Sequence, residues 1–301
     1  MAAAATPECA SHRLPALFVN HGGGPMPLMH GPEGDSLYKG MAEIPAHSIA
    51  RPTSILIISA HWEEETVSVS SSPAPAMLFD YYGFPPQTYS YSYPAPGNPE
   101  LAARVADLIS TATGQEAKLD PKRGYDHGGE ATLPDQPPLP PLPPLPFSHS
   151  PPRRPLVFVP LLIAYPEADV PVCCLSLKAG LDPSEHIQIG EALTPLRDEG
   201  VLIVGSGVSF HNMREFDRTG RGKPKGVAFD TALQAAVQSD VATRREALLS
   251  WRTLPEASFC HPREEHLMPL LVIAGAAGDD PGRVVFESEF MGAKMSGFAF
   301  G

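Results

Sequence analysis

Apolar residues fall into short runs rich in β-branched side chains, separated by longer stretches in which they recur at helical spacing. This alternation predicts an α/β fold: a single domain with a central, mostly parallel sheet flanked by helices. Strands are expected near residues 16–20, 54–60, 170–177 and 201–205. Asn98-Pro99 has the form of an N-cap and first helical residue, and Leu101, Val105, Leu108, Ile109 and Ala112 then follow at helix spacing. Asp182-Pro183-Ser184-Glu185 starts a second helix that ends before Gly200. A third is expected over residues 229–251, and a fourth over 265–277 with Pro269 in its first turn.

Residues 134–155 break the pattern. Proline occurs there at almost every second or third position, which excludes a helix or sheet interior and predicts a surface insertion. Its PxxP repeats beside Arg153 and Arg154 have the chemistry of a polyproline II ligand for an SH3-like partner, and a structureless loop has the same composition. The expected organisation is a flexible N-terminus over residues 1–15 and one folded domain over 16–301 that carries this insertion.

Composition narrows the function classes. The chain has 301 residues, 43% hydrophobic and 19% charged, as folded proteins do. A formal net charge of −12 with no basic run disfavours nucleic acid as a partner. No stretch reaches the ~20 apolar residues of a membrane span, and residues 1–13 lack the pattern of a secretory leader, so a cytoplasmic location with no membrane partner is expected. Cys9, Cys173, Cys174 and Cys260 include no C-x-x-C knuckle, and reduced thiols are expected.

The chemistry lies in the histidines. Three apolar strands lead into one each: residues 17–20 into His21, 56–60 into His61, and 203–210 into His211. In a parallel sheet the carboxyl ends of strands share one rim, so these distant residues are expected to converge there. His127, in a glycine-rich segment, and His266, beside Glu264 and Glu265, are expected to join them. Imidazoles with nearby carboxylates suit Fe(II) or Zn(II), and the lack of cysteine ligands favours an open catalytic site. His21 and His61 are the first choices as ligands, because each follows a strand that fixes its direction.

Other features have plainer readings. His12, His30, His47, His149 and His186 are expected to be solvated, and His261 to stabilise a turn. Gly22-Gly23-Gly24 lacks the lysine and hydroxyl of a P-loop and is read as a turn leaving His21. Gly205-Ser206-Gly207 lacks the third glycine of a dinucleotide fingerprint, and Ser206 is not in a nucleophile elbow. The aromatic segment 79–86, with Tyr89, Tyr91 and Tyr93, is either a packed loop or a cover for a flat substrate.

Seven segments, in order, carry a resemblance: N-H-G-G-G-P at 20–25, S-A-H-W at 59–62, F-D-Y-Y-G-F-P at 79–85, Y-P-A-P-G at 93–97, Y-D-H-G at 125–128, G-S-G-V-S-F-H-N at 205–212 and H-P-R-E-E-H at 261–266. The chain resembles the class III extradiol ring-cleavage dioxygenases, particularly the 4,5-DOPA dioxygenase group. It departs from them after Gly128, where Gly129-Glu130-Ala131-Thr132 and the proline-rich insertion follow. The resemblance implies a metal held by His21, His61 and His266, with Glu264 or Glu265 as the alternative third ligand. His127 and His211 match the family's acid/base histidines, and His211 is also a candidate fourth ligand when zinc is bound. Fe(II) is the implied catalytic metal, with Zn(II) in its place as the alternative, and no organic cofactor is needed. The implied reaction opens a catechol, DOPA-like or another small aromatic diol, with O2 as co-substrate to give a ring-opened semialdehyde. A neutral histidine is suited to take a phenolic proton, since the unperturbed imidazole pKa of about 6.5 lies near the working range; His211 is the first choice. Two competing functions remain: a zinc-dependent hydrolase, which would not need oxygen, and a non-catalytic binding protein like the MEMO-type relatives.

Overall fold

A computed structural model describes residues 13–34, 36–48, 50–76, 84–125, 159–215, 223–290 and 292–301. In chain order its elements are β1 (Ala16–Asn20), α1 (Met26–Gly34), α2 (Ser36–Ala42), β2 (Ser54–Glu64), β3 (Ser68–Ser70), α3 (Pro99–Thr113), β4 (Lys118–Asp120), α4 (Val159–Ala164), β5 (Val172–Lys178), α5 (Pro183–Leu193), β6 (Val201–Gly207), α6 (Lys223–Gln238), α7 (Val241–Leu249), α8 (Ala257–Cys260), α9 (Met268–Ala276), β7 (Gly282–Phe290) and β8 (Ala293–Phe300). Residues 1–12, with His12 and Cys9, His127, and the proline-rich insertion with His149 lie outside the described residues, as do residues 79–83 of the aromatic segment.

One eight-stranded sheet runs in the order β4-β3-β5-β2-β6-β1-β8-β7. The central strands β5, β2, β6 and β1 are parallel neighbours, so their carboxyl ends share a rim. Antiparallel pairs flank them: β3 against β5 on one side, and the β7–β8 hairpin against β1 on the other. The expected mostly parallel sheet between helices is therefore the observed one. The central strands are buried from end to end in β1 and β6, as apolar runs covered on both faces should be.

The two expected helix starts hold. Asn98 Oδ1 accepts from Leu101 N at 3.0 Å to cap α3, and Asp182 Oδ1 accepts from Ser184 N and Glu185 N at 2.8 and 3.1 Å to cap α5. Two expectations need correction. The helix expected over 229–251 is two, because Asp240 Oδ1 accepts from Ala242 N and Thr243 N at 3.1 Å and so starts a new helix, α7, after Gln238. The helix expected from residue 265 begins at Met268, since Pro269 has no N–H and belongs in the first turn; His266 thus lies in the turn before α9. The short strands β3 and β4 and the β7–β8 hairpin were not foreseen.

Helix α9 is apolar on all sides and buried against β6, β1, β2 and α5. Its crossing with α5 needs glycine on both helices: a Cβ on Gly190 would lie 2.0 Å from Val272 O, and one on Gly275 would lie 2.2 Å from Ile187 O. Arg197, fully buried, donates to Leu14 O, Ala276 O, Ala277 O and Phe300 O and pairs with Asp280 at 2.6 Å. It thereby ties the approach to β1, the end of α9 and the end of β8 to one guanidinium.

Candidate metal centre

The rim forms where β1, β2 and β6 end. His21 follows β1 directly, and its N–H donates to Gly207 O at 3.0 Å, which continues the β1–β6 ladder. The chain then turns away through Gly22 and Gly24, both at positive φ (79° and 56°), as expected of this glycine run. His61 does not follow a completed strand. In the β2–β5 ladder Ser59 faces Ser176 and Glu63 faces Leu177, so residues 60–62 bulge from the sheet and carry His61 to the rim. His211 lies four residues beyond the end of β6, its N–H donating to Cys260 O at 2.9 Å.

His266 lies in the turn before α9, and its backbone packs on the end of β6. A Cβ on Gly207 would lie 2.2 Å from His266 O, and Val208 N donates to that same oxygen at 3.1 Å. The Gly205-Ser206-Gly207 segment is thus a place where a strand end presses against the backbone of a site residue. Ser206 adds a hydrogen bond between its Oγ and His21 Nδ1 at 2.9 Å. Neither contribution is among the expectations drawn from the sequence. Glycine in the apolar run that leads to His211 was the available signal.

His21, His61 and His266 form a near-equilateral triangle, with ring centroids 5.1, 5.2 and 4.9 Å apart and rings inclined at 69–87°. Each offers a nitrogen within 4.8 Å of the others, and the Nε2 atoms of His61 and His266 are 3.0 Å apart. His266 Nδ1 donates to Glu265 Oε1 at 2.8 Å, which leaves its Nε2 as a bare lone pair facing that of His61. Nitrogens bound at ~2.0–2.1 Å to a tetrahedral ion lie roughly 3.3 Å apart, so these donors fit a shared cation. Three imidazoles with a carboxylate behind one of them suit Fe(II) or Zn(II), and the carboxylate sets ring orientation and basicity.

Glu265 sits behind the triangle, its Oε1 also 3.0 Å from His211 Nδ1. Burial opposes its charge, but the hydrogen bonds from His211 and His266 outweigh burial and hold the carboxyl well below its usual range. Burial and the neighbouring His211 ring hold His266 well below its ordinary value, so this imidazole is neutral near pH 7. His211 stacks on His266 at 3.5 Å between centroids and forms a second group of donors with Glu265 and His266. Glu264 instead pairs with Arg252 at 2.6 Å and belongs to neither group.

Other expectations fare differently. His186, expected to be solvated, is fully buried: its Nδ1 donates to Asp182 O at 2.8 Å and its Nε2 accepts from Lys178 N at 3.3 Å, as a histidine in the first turn of α5 can when a strand end packs on it. His261 is buried against Phe229 and Trp251, donates from Nε2 to Ser209 O at 3.1 Å, and is pushed down to about 3 chiefly by burial. Tyr93 belongs to the core, which removes it from any substrate cover, while Tyr89 and Tyr91 are half-buried. Cys173, Cys174 and Cys260 are buried and outside any disulfide. Among the described residues, no helix is long and apolar enough to cross a membrane.

The family model described as catalytic LigB subunit of aromatic ring-opening dioxygenase matches residues 157–299. Across nearly the whole chain, the protein is 33% identical to a protein named dioxygenase tasH from Hapsidospora irregularis, covering 95% of this chain and 85% of that one. The chain belongs to the class III extradiol dioxygenase family. Within this family it is 36% identical to a 4,5-DOPA dioxygenase extradiol of Beta vulgaris, over 82% of this chain and 81% of that one. It is 29% identical to the protein of the same name from Escherichia coli K12, over 94% and 93% of the two chains. The crystal structure of an uncharacterized Escherichia coli K12 protein matches this extradiol dioxygenase fold with a TM-score of 0.72 at 26% identity, covering 96% of this chain and all of that one.

Proposed function

We propose that this protein opens the ring of a catechol beside its diol, consuming O2, with a divalent metal, Fe(II), held by His21, His61 and His266. The observation that carries the proposal is the triangle of imidazole nitrogens, all within 4.8 Å, on the rim of a family member's parallel sheet. The metal would supply a Lewis-acidic point on which a chelating diol and dioxygen are oriented together. The chain's own residues supply the rest. Glu265 fixes the His266 tautomer so that Nε2 points to the shared centre. The same carboxylate accepts from His211 Nδ1, which leaves His211 Nε2 as the lone pair able to take a phenolic proton. His127 completes the reading as the second acid/base histidine, which returns a proton to the opened product. Relatives named for 4,5-DOPA make a DOPA-like catechol the first substrate to try.

Oxygen-electrode assays of Fe(II)-reconstituted protein against a catechol panel test this directly. Catechol-dependent uptake with a yellow product is expected, absent in His61→Ala and without a metal. Turnover that continues under strict anaerobiosis would replace this reading with hydrolysis.

A further inference from the structure

Arg263 stands between the two segments that bring His61 and His266 together. Its Nη2 donates to Glu63 Oε2 at 2.5 Å, and its Nη1 lies 3.3 Å from Glu265 Oε2. Glu63 is the residue at which β2 rejoins the β5 ladder after the bulge that carries His61, so its backbone is fixed by the sheet. Glu265 spends its Oε1 on His266 and His211, while its buried Oε2 makes no hydrogen bond and has only an ion pair with Arg263 Nη1 among the recorded contacts. A continuous chain of polar contacts therefore runs from Glu63 through Arg263 to Glu265 and on to both histidines.

We infer that Arg263 is a positioning residue: it spans from the anchored end of the β2 bulge to the carboxylate behind His266 and so sets the spacing of His61 and His266. The inference rests on the metal reading given above. The side chain of Arg263 is 56% exposed, and exposed ion pairs contribute little to folding. Its effect should therefore appear in the geometry of the site and leave global stability nearly unchanged. Planar forked geometry allows one guanidinium to hold two carboxylates in fixed relation, which an ammonium does only in part.

The test uses the full chain loaded with Co(II), with affinity read by chelator competition, coordination by visible absorption, and apo stability by urea unfolding. Arg263→Gln is expected to weaken Co(II) binding about 10-fold, the lower end for disturbing the outer partner of a ligand, and to alter the visible bands while the urea midpoint holds. Glu63→Gln should have a similar effect, the double variant should be no worse than either single one, and Arg263→Lys should recover part of the loss. Wild-type affinity and spectrum in Arg263→Gln, or additive losses in the double variant, would overturn the inference. His61→Ala separates the two readings: if it loses Co(II) while Arg263→Gln does not, only the positioning role falls, and if it binds Co(II) as the wild type does, both fall.

Discussion

Replacing Gly207 by alanine tests whether the β6 strand end sets the position of His266. The added Cβ would lie 2.2 Å from His266 O, about 1 Å short of the ~3.3 Å at which a carbon and a carbonyl oxygen ordinarily meet. Backbone lies on both sides of this contact, and the ring of Phe18 lies 3.0 Å from the same Cβ, so no flexible side-chain tip can absorb the crowding. The His266 backbone should move by roughly 1 Å, whereas metal sites tolerate about 0.2 Å in ligand distance. Overpacking of this kind costs about 1–3 kcal/mol of stability, and a misplacement near 1 Å costs about 100-fold in activity. Urea unfolding of the apo protein, chelator competition for bound metal and catechol-dependent oxygen uptake measure the three effects separately. A variant that loses stability but keeps wild-type metal affinity and turnover would refute the claim that this contact places His266.

Two further outcomes follow from the buried charges. Arg197→Met leaves the carbonyls of Leu14, Ala276, Ala277 and Phe300 without their donor and Asp280 without its partner, so urea unfolding should show a loss of about 3–5 kcal/mol; a loss below about 1 kcal/mol would contradict the tie described above. Burial holds His186 below its ordinary value, against the opposing effect of its hydrogen bond to Asp182. Because the unfolded chain takes up that proton below about pH 6.5 and the folded one only at lower pH, stability is full above this value and falls as pH drops. His186→Gln removes that slope, so the wild type's advantage in urea at pH 7.5 should shrink by pH 5, and an advantage that stays constant would rule the mechanism out.

The sequence made the central sheet and its rim legible because strands buried on both faces leave unbroken apolar runs, and a polar residue at the end of such a run marks the rim. His21, His61 and His211 were legible for that reason. What escaped notice lies in tertiary contact. The bulge at residues 60–62 exists only relative to β5, and the need for glycine at 207 exists only because the His266 backbone arrives there. Glu265 was legible as a carboxylate near the site, but its place behind His266 depends on the turn before α9. His186 was misread because a histidine in the first turn of a helix faces solvent unless a strand end such as Lys178 packs on it. The Asp240 break was readable as an N-cap signal, and the continuing apolar period masked it.

The order of strands also bears on synthesis. Strand β1, which positions His21, lies between β6 and β8, so its two backbone edges are completed by segments translated much later. Until residues 293–300 leave the ribosome, the nascent domain presents one side of an apolar strand with no hydrogen-bonding neighbour, the kind of template on which chains associate wrongly. Correct biogenesis therefore places a premium on the speed with which the β7–β8 hairpin docks, and lesions in that hairpin should surface as insoluble product before they surface as lost chemistry.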